Sequence, residues 1–93
     1  MGYREEGMRF IDELNSEGIY NCACGARFTE IHHAWERSKS KKHATDPRNF
    51  VEICRECHSM IHDQPKEKWT KAVWKIDERC KRIREYLENE QSR

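Results

Sequence analysis

Four of the five cysteines fall in two close pairs, Cys22-Ala23-Cys24 and Cys54-Arg55-Glu56-Cys57, with 29 residues between the pairs. No other feature limits the fold as strongly. Two thiol pairs drawn from distant points can close on one tetrahedral ion and cross-link the chain between them. The composition says why this chain needs a cross-link. Of 93 residues only 35% are hydrophobic and 38% are charged, and so short and polar a chain builds a thin core. No apolar run approaches the roughly 18 residues of a membrane span. Residues 1–10 lack a signal-peptide pattern, so neither a membrane protein nor a Sec-exported one is expected. The expected compartment is a reducing cytoplasm, where paired cysteines read as metal ligands rather than disulfides. Residues 54–58 also spell the C-x-x-C-H of haem attachment, but that chemistry needs an oxidising compartment and leaves Cys22 and Cys24 unused.

Around these pairs the pattern predicts a small α+β domain occupying residues 1–93. Tyr3, Gly7, Phe10, Ile11 and Leu14 form one helical stripe, giving an N-terminal helical unit over 3–18 that Gly18 ends. Residues 27–33 alternate as a strand, residues 34–48 form a basic polar loop, and 49–53 (NFVEI) returns to strand composition. Residues 54–62 read as a short helix. Pro65 then opens a long C-terminal helix over 65–90. Its stripe, Trp69, Val73, Ile76, Cys80, Ile83 and Leu87, must be covered by something. The first helix is expected to cover part of it, and a homodimer through this C-terminal helix is the alternative. Cys80, alone on that stripe, reads as a core thiol.

Charge and histidine placement carry the functional signal. The formal net charge is only +1, yet residues 31–48 hold Arg37, Lys39, Lys41, Lys42 and Arg48 against Glu36 and Asp46. A loop this basic suits contact with phosphates while the whole chain stays near neutral. Four of the five histidines sit in two groups. His58 and His62, four apart on a helix, project from one face. His32 and His33, adjacent on a strand, point to opposite sides. One of the latter can therefore ligate a metal shared with the helix, while the other stays free to act as a base.

The pieces CACG, EIHH, the basic loop, DPRNFVEIC, RECH and the closing IH together resemble the HNH endonuclease family over residues 22–62, in the phage and bacterial form that carries a zinc knuckle. The resemblance implies a ββα-metal fold, two strands and a helix clamping one divalent ion, stapled by a four-cysteine zinc and flanked by N- and C-terminal helices. It matches His33 to the general base, Asn49 to the residue that orients the loop and base, and Glu30 to an acid supporting the metal ligands. His32, His58 and His62 match the ligands of the catalytic ion, similar to the all-histidine site of the colicin DNases. Cys22, Cys24, Cys54 and Cys57 match the structural zinc ligands. The implied activity is metal-dependent DNA hydrolysis, by nicking or double-strand cleavage, leaving 5′-phosphate and 3′-hydroxyl ends with low intrinsic sequence specificity. The implied cofactors are structural Zn2+ and one catalytic Mg2+, Mn2+, Ni2+ or Zn2+. DNA is the expected partner, in a bacterial or phage-infected cell, with phage packaging or recombination proteins as further partners. The rival expectations are a non-catalytic, zinc-stabilised nucleic-acid-binding module and an accessory subunit of a phage DNA-processing assembly. Where the family often has Pro three residues after the base and a Gly-Gly turn, this chain has Glu36 and Ser40-Lys41-Lys42.

Overall fold

A two-stranded antiparallel sheet and the helix that follows it form the centre of the structure, a computed structural model that describes residues 3–36 and 41–91. The chain runs α1 (Tyr3–Ser16), β1 (Glu30–His33), β2 (Phe50–Ile53), α2 (Arg55–Asp63) and α3 (Lys71–Gln91), with short 3-10 turns at Lys41–His43, Pro47–Asn49 and Lys66–Lys68. In β1–β2 the partners are Glu30 with Ile53, Ile31 with Glu52, His32 with Val51 and His33 with Phe50. Among the described residues this is a small α+β fold whose β1–β2–α2 unit has the ββα order.

The first helix ends at Ser16 rather than reaching residue 18. Gly18 takes a left-handed φ of +80°, and the Ile19 amide turns back to the Leu14 carbonyl at 2.9 Å. That is the usual glycine stop after a helix. The strand expected over 27–33 divides in two. Arg27 bridges Asn21 and Phe28 N–H bonds Tyr20 O at 3.0 Å, closing a small hairpin around Cys22 and Cys24. Glu30–His33 forms the ladder with β2, preceded by a bond from Thr29 N–H to Ile53 O at 3.2 Å. The second strand likewise starts one residue late, because Asn49 completes the turn that Asp46 caps by accepting from Arg48 N–H at 2.9 Å.

The largest departure is at the C-terminal helix, which was expected from residue 65 and begins at Lys71. Pro65 instead caps the 3-10 turn, and Trp69 is extended at φ −68° and ψ 140°. The physical reason is a competing use for Trp69. Its indole N–H points at the carbonyls of Met60 (3.2 Å) and Gln64 (3.1 Å), beside the end of α2, where helix carbonyls lack partners. Thr70 then starts α3, its hydroxyl accepting from Val73 N–H at 3.3 Å, as an N-cap does.

The stripe on α3 is covered within the chain. Val73, Ile76 and Cys80 are buried in one cluster with Cys22, Phe28, Ala34, Val51, Ile53, Cys54 and Cys57, and Ile83 packs against it. Leu87 is buried as well. No second chain is needed to hide these side chains. Helix α3 lies chiefly against α2 and the turn at Pro47–Asn49, whereas α1 packs on β2 and the same turn. Polar ties reinforce the apolar seam: Arg79 pairs with Glu52 at 2.9 Å and Arg84 Nη1 donates to Ala34 O at 2.9 Å. No described helix is long and apolar enough to cross a membrane.

Ile76, 3% exposed, tests this packing. Ile76→Ala is expected to lower unfolding stability by about 2–5 kcal/mol, and Lys75→Ala, on the exposed side, to change it by less than about 0.5 kcal/mol. Denaturant melts of the two variants would check this. An Ile76→Ala protein as stable as the parent would mean that α3 does not pack where it is described.

Candidate active site

Two groups of metal-ligating side chains flank the ββα unit. The sulfurs of Cys22, Cys24, Cys54 and Cys57 all lie within 4.8 Å of one another, and Cys24 and Cys54 are 3.5 Å apart. Metal–sulfur bonds of about 2.3 Å in a tetrahedron put the sulfurs about 3.8 Å apart, so the four thiols fit one ion. The one-residue gap between Cys22 and Cys24 is accommodated by a tight turn. Cys22 N–H bonds Ala26 O at 2.7 Å, Gly25 N–H bonds Cys22 O at 2.9 Å, and Gly25 supplies a φ of +93° that other residues rarely adopt. The Ala26 amide beside Cys24 holds its thiol below the usual range. Burial pushes the Cys54 and Cys57 thiols up, a cost that a bound cation reverses by favouring thiolate. Cys54 has a second job. It is the N-cap of α2, accepting from Cys57 N–H at 3.4 Å, so the cysteine cluster fixes where the helix begins.

From that start, His58 and His62 follow along α2 and meet His32 from β1. One nitrogen of each lies within 4.8 Å of the others, with ring centroids 4.8–5.4 Å apart. Glu30, two residues before His32 on the same strand, accepts from His58 Nδ1–H at 2.7 Å. A carboxylate on one ring nitrogen orients the imidazole and leaves the other nitrogen, Nε2, as the ligand atom. Burial, with His58 and His62 adding to it, pushes His32 down to about 3, so its ring is neutral and keeps a lone pair for a cation. Three convergent imidazoles, one braced by a carboxylate, suit a divalent ion with open positions.

His33 has different neighbours, as strand alternation requires. Its ring packs at 5.1 Å on Phe50, its cross-strand partner, and Phe50 is in turn met edge-on by Phe10 of α1 at 5.6 Å. His33 Nε2 lies 3.1 Å from the Ala44 carbonyl. A carbonyl only accepts, so Nε2 carries the proton in this contact. Asn49, fully buried, ties Trp35 to His43, the residue just before Ala44. Its Oδ1 accepts from Trp35 N–H at 2.7 Å, and its Nδ2 donates to Trp35 O at 3.0 Å and His43 O at 3.1 Å.

Of the basic residues singled out in the loop, Arg37 and Lys39 lie outside the described residues. Lys41 and Lys42 open the turn Lys41–His43, and Lys42 is exposed. Arg48 is exposed too, but its guanidinium pairs with Asp46 at 2.7 Å and with Glu90 of α3. Pattern reading had no signal for Trp35, His43 and the Ala44 carbonyl, because what they do depends on which backbone groups a buried Asn49 reaches. The only hint was a Trp and a fifth His flanking the basic run.

Residues 20–64 match the family model described as HNH endonuclease. That match is an HNH endonuclease domain hit over 45 of the 93 residues, the family being generally nuclease, and both groups of candidate ligands lie within the matched segment. No curated protein and no solved structure matches the chain.

Membership of Cys24 in the thiol group is open to a spectroscopic check. One equivalent of Co2+ is expected to give the visible bands of a tetrahedral tetrathiolate, with displacement of protons from the thiols. Cys24→Ser should weaken the sulfur-to-cobalt charge-transfer absorption, whereas Cys80→Ser should leave it unchanged. An unaltered Cys24→Ser spectrum would remove Cys24 from the site.

Proposed function

We propose that this protein is a metal-dependent DNA endonuclease that hydrolyses phosphodiester bonds to 5′-phosphate and 3′-hydroxyl ends, with low intrinsic sequence specificity. The observation that carries the reading is the split between adjacent histidines. His32 joins His58 and His62, while His33 points to the other side of the strand, with Nε2 3.1 Å from Ala44 O. Hydrolysis of a phosphodiester needs a base for the attacking water and compensation for charge on the phosphate and leaving oxygen.

In this reading His33 Nδ1 takes the proton from water as it attacks phosphorus. The Ala44 carbonyl stabilises the resulting imidazolium by accepting from Nε2–H. Asn49 keeps the carbonyl-bearing loop in register with β1 and does not touch substrate. His32, His58 and His62 hold the divalent ion, and Glu30 fixes the ring of His58. When bound, that ion supplies Lewis-acid stabilisation of the phosphate and of the departing 3′ oxygen. Cys22, Cys24, Cys54 and Cys57 hold a structural Zn2+, the ion best matched to four thiolates. Arg37, Lys39, Lys41 and Lys42 contact flanking phosphates, which gives affinity without base reading. Arg48, already paired with Asp46 and Glu90, anchors the base of the loop to α3.

Plasmid incubated with the protein and Mg2+, Mn2+, Ni2+ or Zn2+ tests this. His33→Ala should retain both metals but cut more slowly by something like 10²–10⁴-fold. His58→Ala should lose the second ion and the activity together, and Asn49→Ala should slow cleavage with the ion still bound. Ligation of the products without kinase treatment reports the 5′-phosphate. A His33→Ala protein as fast as the parent in every metal would overturn the assignment.

A further inference from the structure

Helix α3 carries a tryptophan on its outer side that the core does not use. Trp74 is 40% exposed, and Trp69 meets it edge-on with ring centroids 5.0 Å apart and planes at 66°. Trp69 is itself held by its indole bonds to the carbonyls of Met60 and Gln64. The pair is thereby fixed to the end of α2, the helix that bears His58 and His62. Close in sequence to the two rings are four exposed lysines, Lys66, Lys68, Lys71 and Lys75, against Asp63 and Glu67. Lys66 Nζ lies over the Trp69 ring, 5.7 Å from its centroid. None of the four lysines has an ion-pair partner among the described residues. Folding does not call for this arrangement. An exposed indole forgoes burial, and the first turn of α3 holds Lys71 but no acid, the charge that a helix N-terminus disfavours.

We propose that Trp74 is a stacking platform for an unpaired base, and that the lysines draw the backbone of a single-stranded DNA segment across it. An indole stacks only on a base whose face is free, and in a duplex both faces are taken by neighbouring pairs. Aromatic rings beside a positive track are the usual means of holding single strands without reading their sequence. Charge also sets the direction of the strand. Asp77 and Glu78 lie one turn beyond Trp74 on α3 and repel phosphate, so the strand enters on the side nearer α2. A second copy of this chain is a poorer occupant, because a symmetric contact through Trp74 would press two sets of unpaired lysines together. The inference depends on the nuclease reading for the identity of its ligand. It adds that DNA with an unpaired tail or branch is preferred to blunt duplex.

The probe is a labelled duplex with a tail of about ten unpaired thymidines, a length usual for a single-strand site, compared with the same duplex blunt-ended. Anisotropy is read on zinc-loaded protein with no other divalent ion added, so cleavage plays no part. The parent should hold the tailed duplex more tightly than the blunt one. Trp74→Ala should weaken binding of the tail by roughly 5–100-fold, the worth of one stacked base, with blunt binding within about twofold of the parent. Trp74→Tyr keeps an aromatic face and should restore the preference. Replacing Lys71 and Lys75 by Gln should flatten the salt dependence of tail binding, whereas Lys81→Gln, further along α3, should not. A Trp74→Ala protein that holds the tail as tightly as the parent overturns the proposal, as does a Trp74→Tyr protein as weak as Trp74→Ala. Sedimentation showing a parent dimer that Trp74→Ala splits also overturns it, since the surface is then a contact between copies. Plasmid cleavage is scored separately. A protein that holds the tail but never cuts refutes the nuclease reading and leaves the platform in place.

Discussion

The joint at Cys54 is the constraint on which the rest of the structure depends. Its sulfur closes the group of four thiols and also caps α2, so a single residue sets both the cross-link and the helix register. Cys22 and Cys24 bring the hairpin after α1 to that joint, and Cys57 anchors the first turn of the helix. Three of these thiols, Cys22, Cys54 and Cys57, are core residues packed with Val51, Ile53, Val73 and Ile76, whereas Cys24 is exposed. In a chain so poor in apolar side chains, this overlap between metal ligands and core is economical: the cluster that can hold an ion is also the cluster that excludes water. A structure organised in this way couples metal retention to folding.

Function is then built outward from the joint in two directions. Along α2, the helical repeat carries His58 and His62 to His32. Along β1, the pleat sends His33 away from that group to Phe50 and Ala44. In the proposed mechanism the separation matters chemically, because an imidazole bound to a cation cannot also accept a proton, and a base would have to be kept apart from three ligands within a few residues. Asn49 completes the division. With all three of its bonds directed at loop backbone, it works as a structural pin inside the site.

Much of this arrangement was legible in the sequence because it is local or periodic. The cysteine spacing announces thiols that converge on one point, the i,i+4 pair on α2 announces a common face, and adjacent strand residues announce opposite faces. The stripe from Val73 to Leu87 is periodic in the same way and is buried as its spacing implies. What the pattern could not carry were competitions settled by distant partners. Trp69 belongs to the apolar stripe by spacing, yet its indole N–H is drawn to the end of α2, which delays α3 to Lys71. Arg48 reads as a loop cation, but Glu90, far away in sequence, comes close through the packing of α3. Arg27 and Phe28 continue an alternating strand on paper, although the turn at Cys22–Gly25 claims them first.

The central claim of the proposed reading is that one ββα unit holds two ions for two ends, thiolates for the fold and imidazoles for the reaction, with His33 a ligand to neither. Anomalous X-ray scattering from crystals of zinc-loaded protein grown with Mn2+ tests it most directly. The account predicts a zinc signal among Cys22, Cys24, Cys54 and Cys57, and a separate manganese signal bounded by His32, His58 and His62, with His33 coordinated to neither. A second ion found elsewhere, or one that recruits His33 as a ligand, would contradict it.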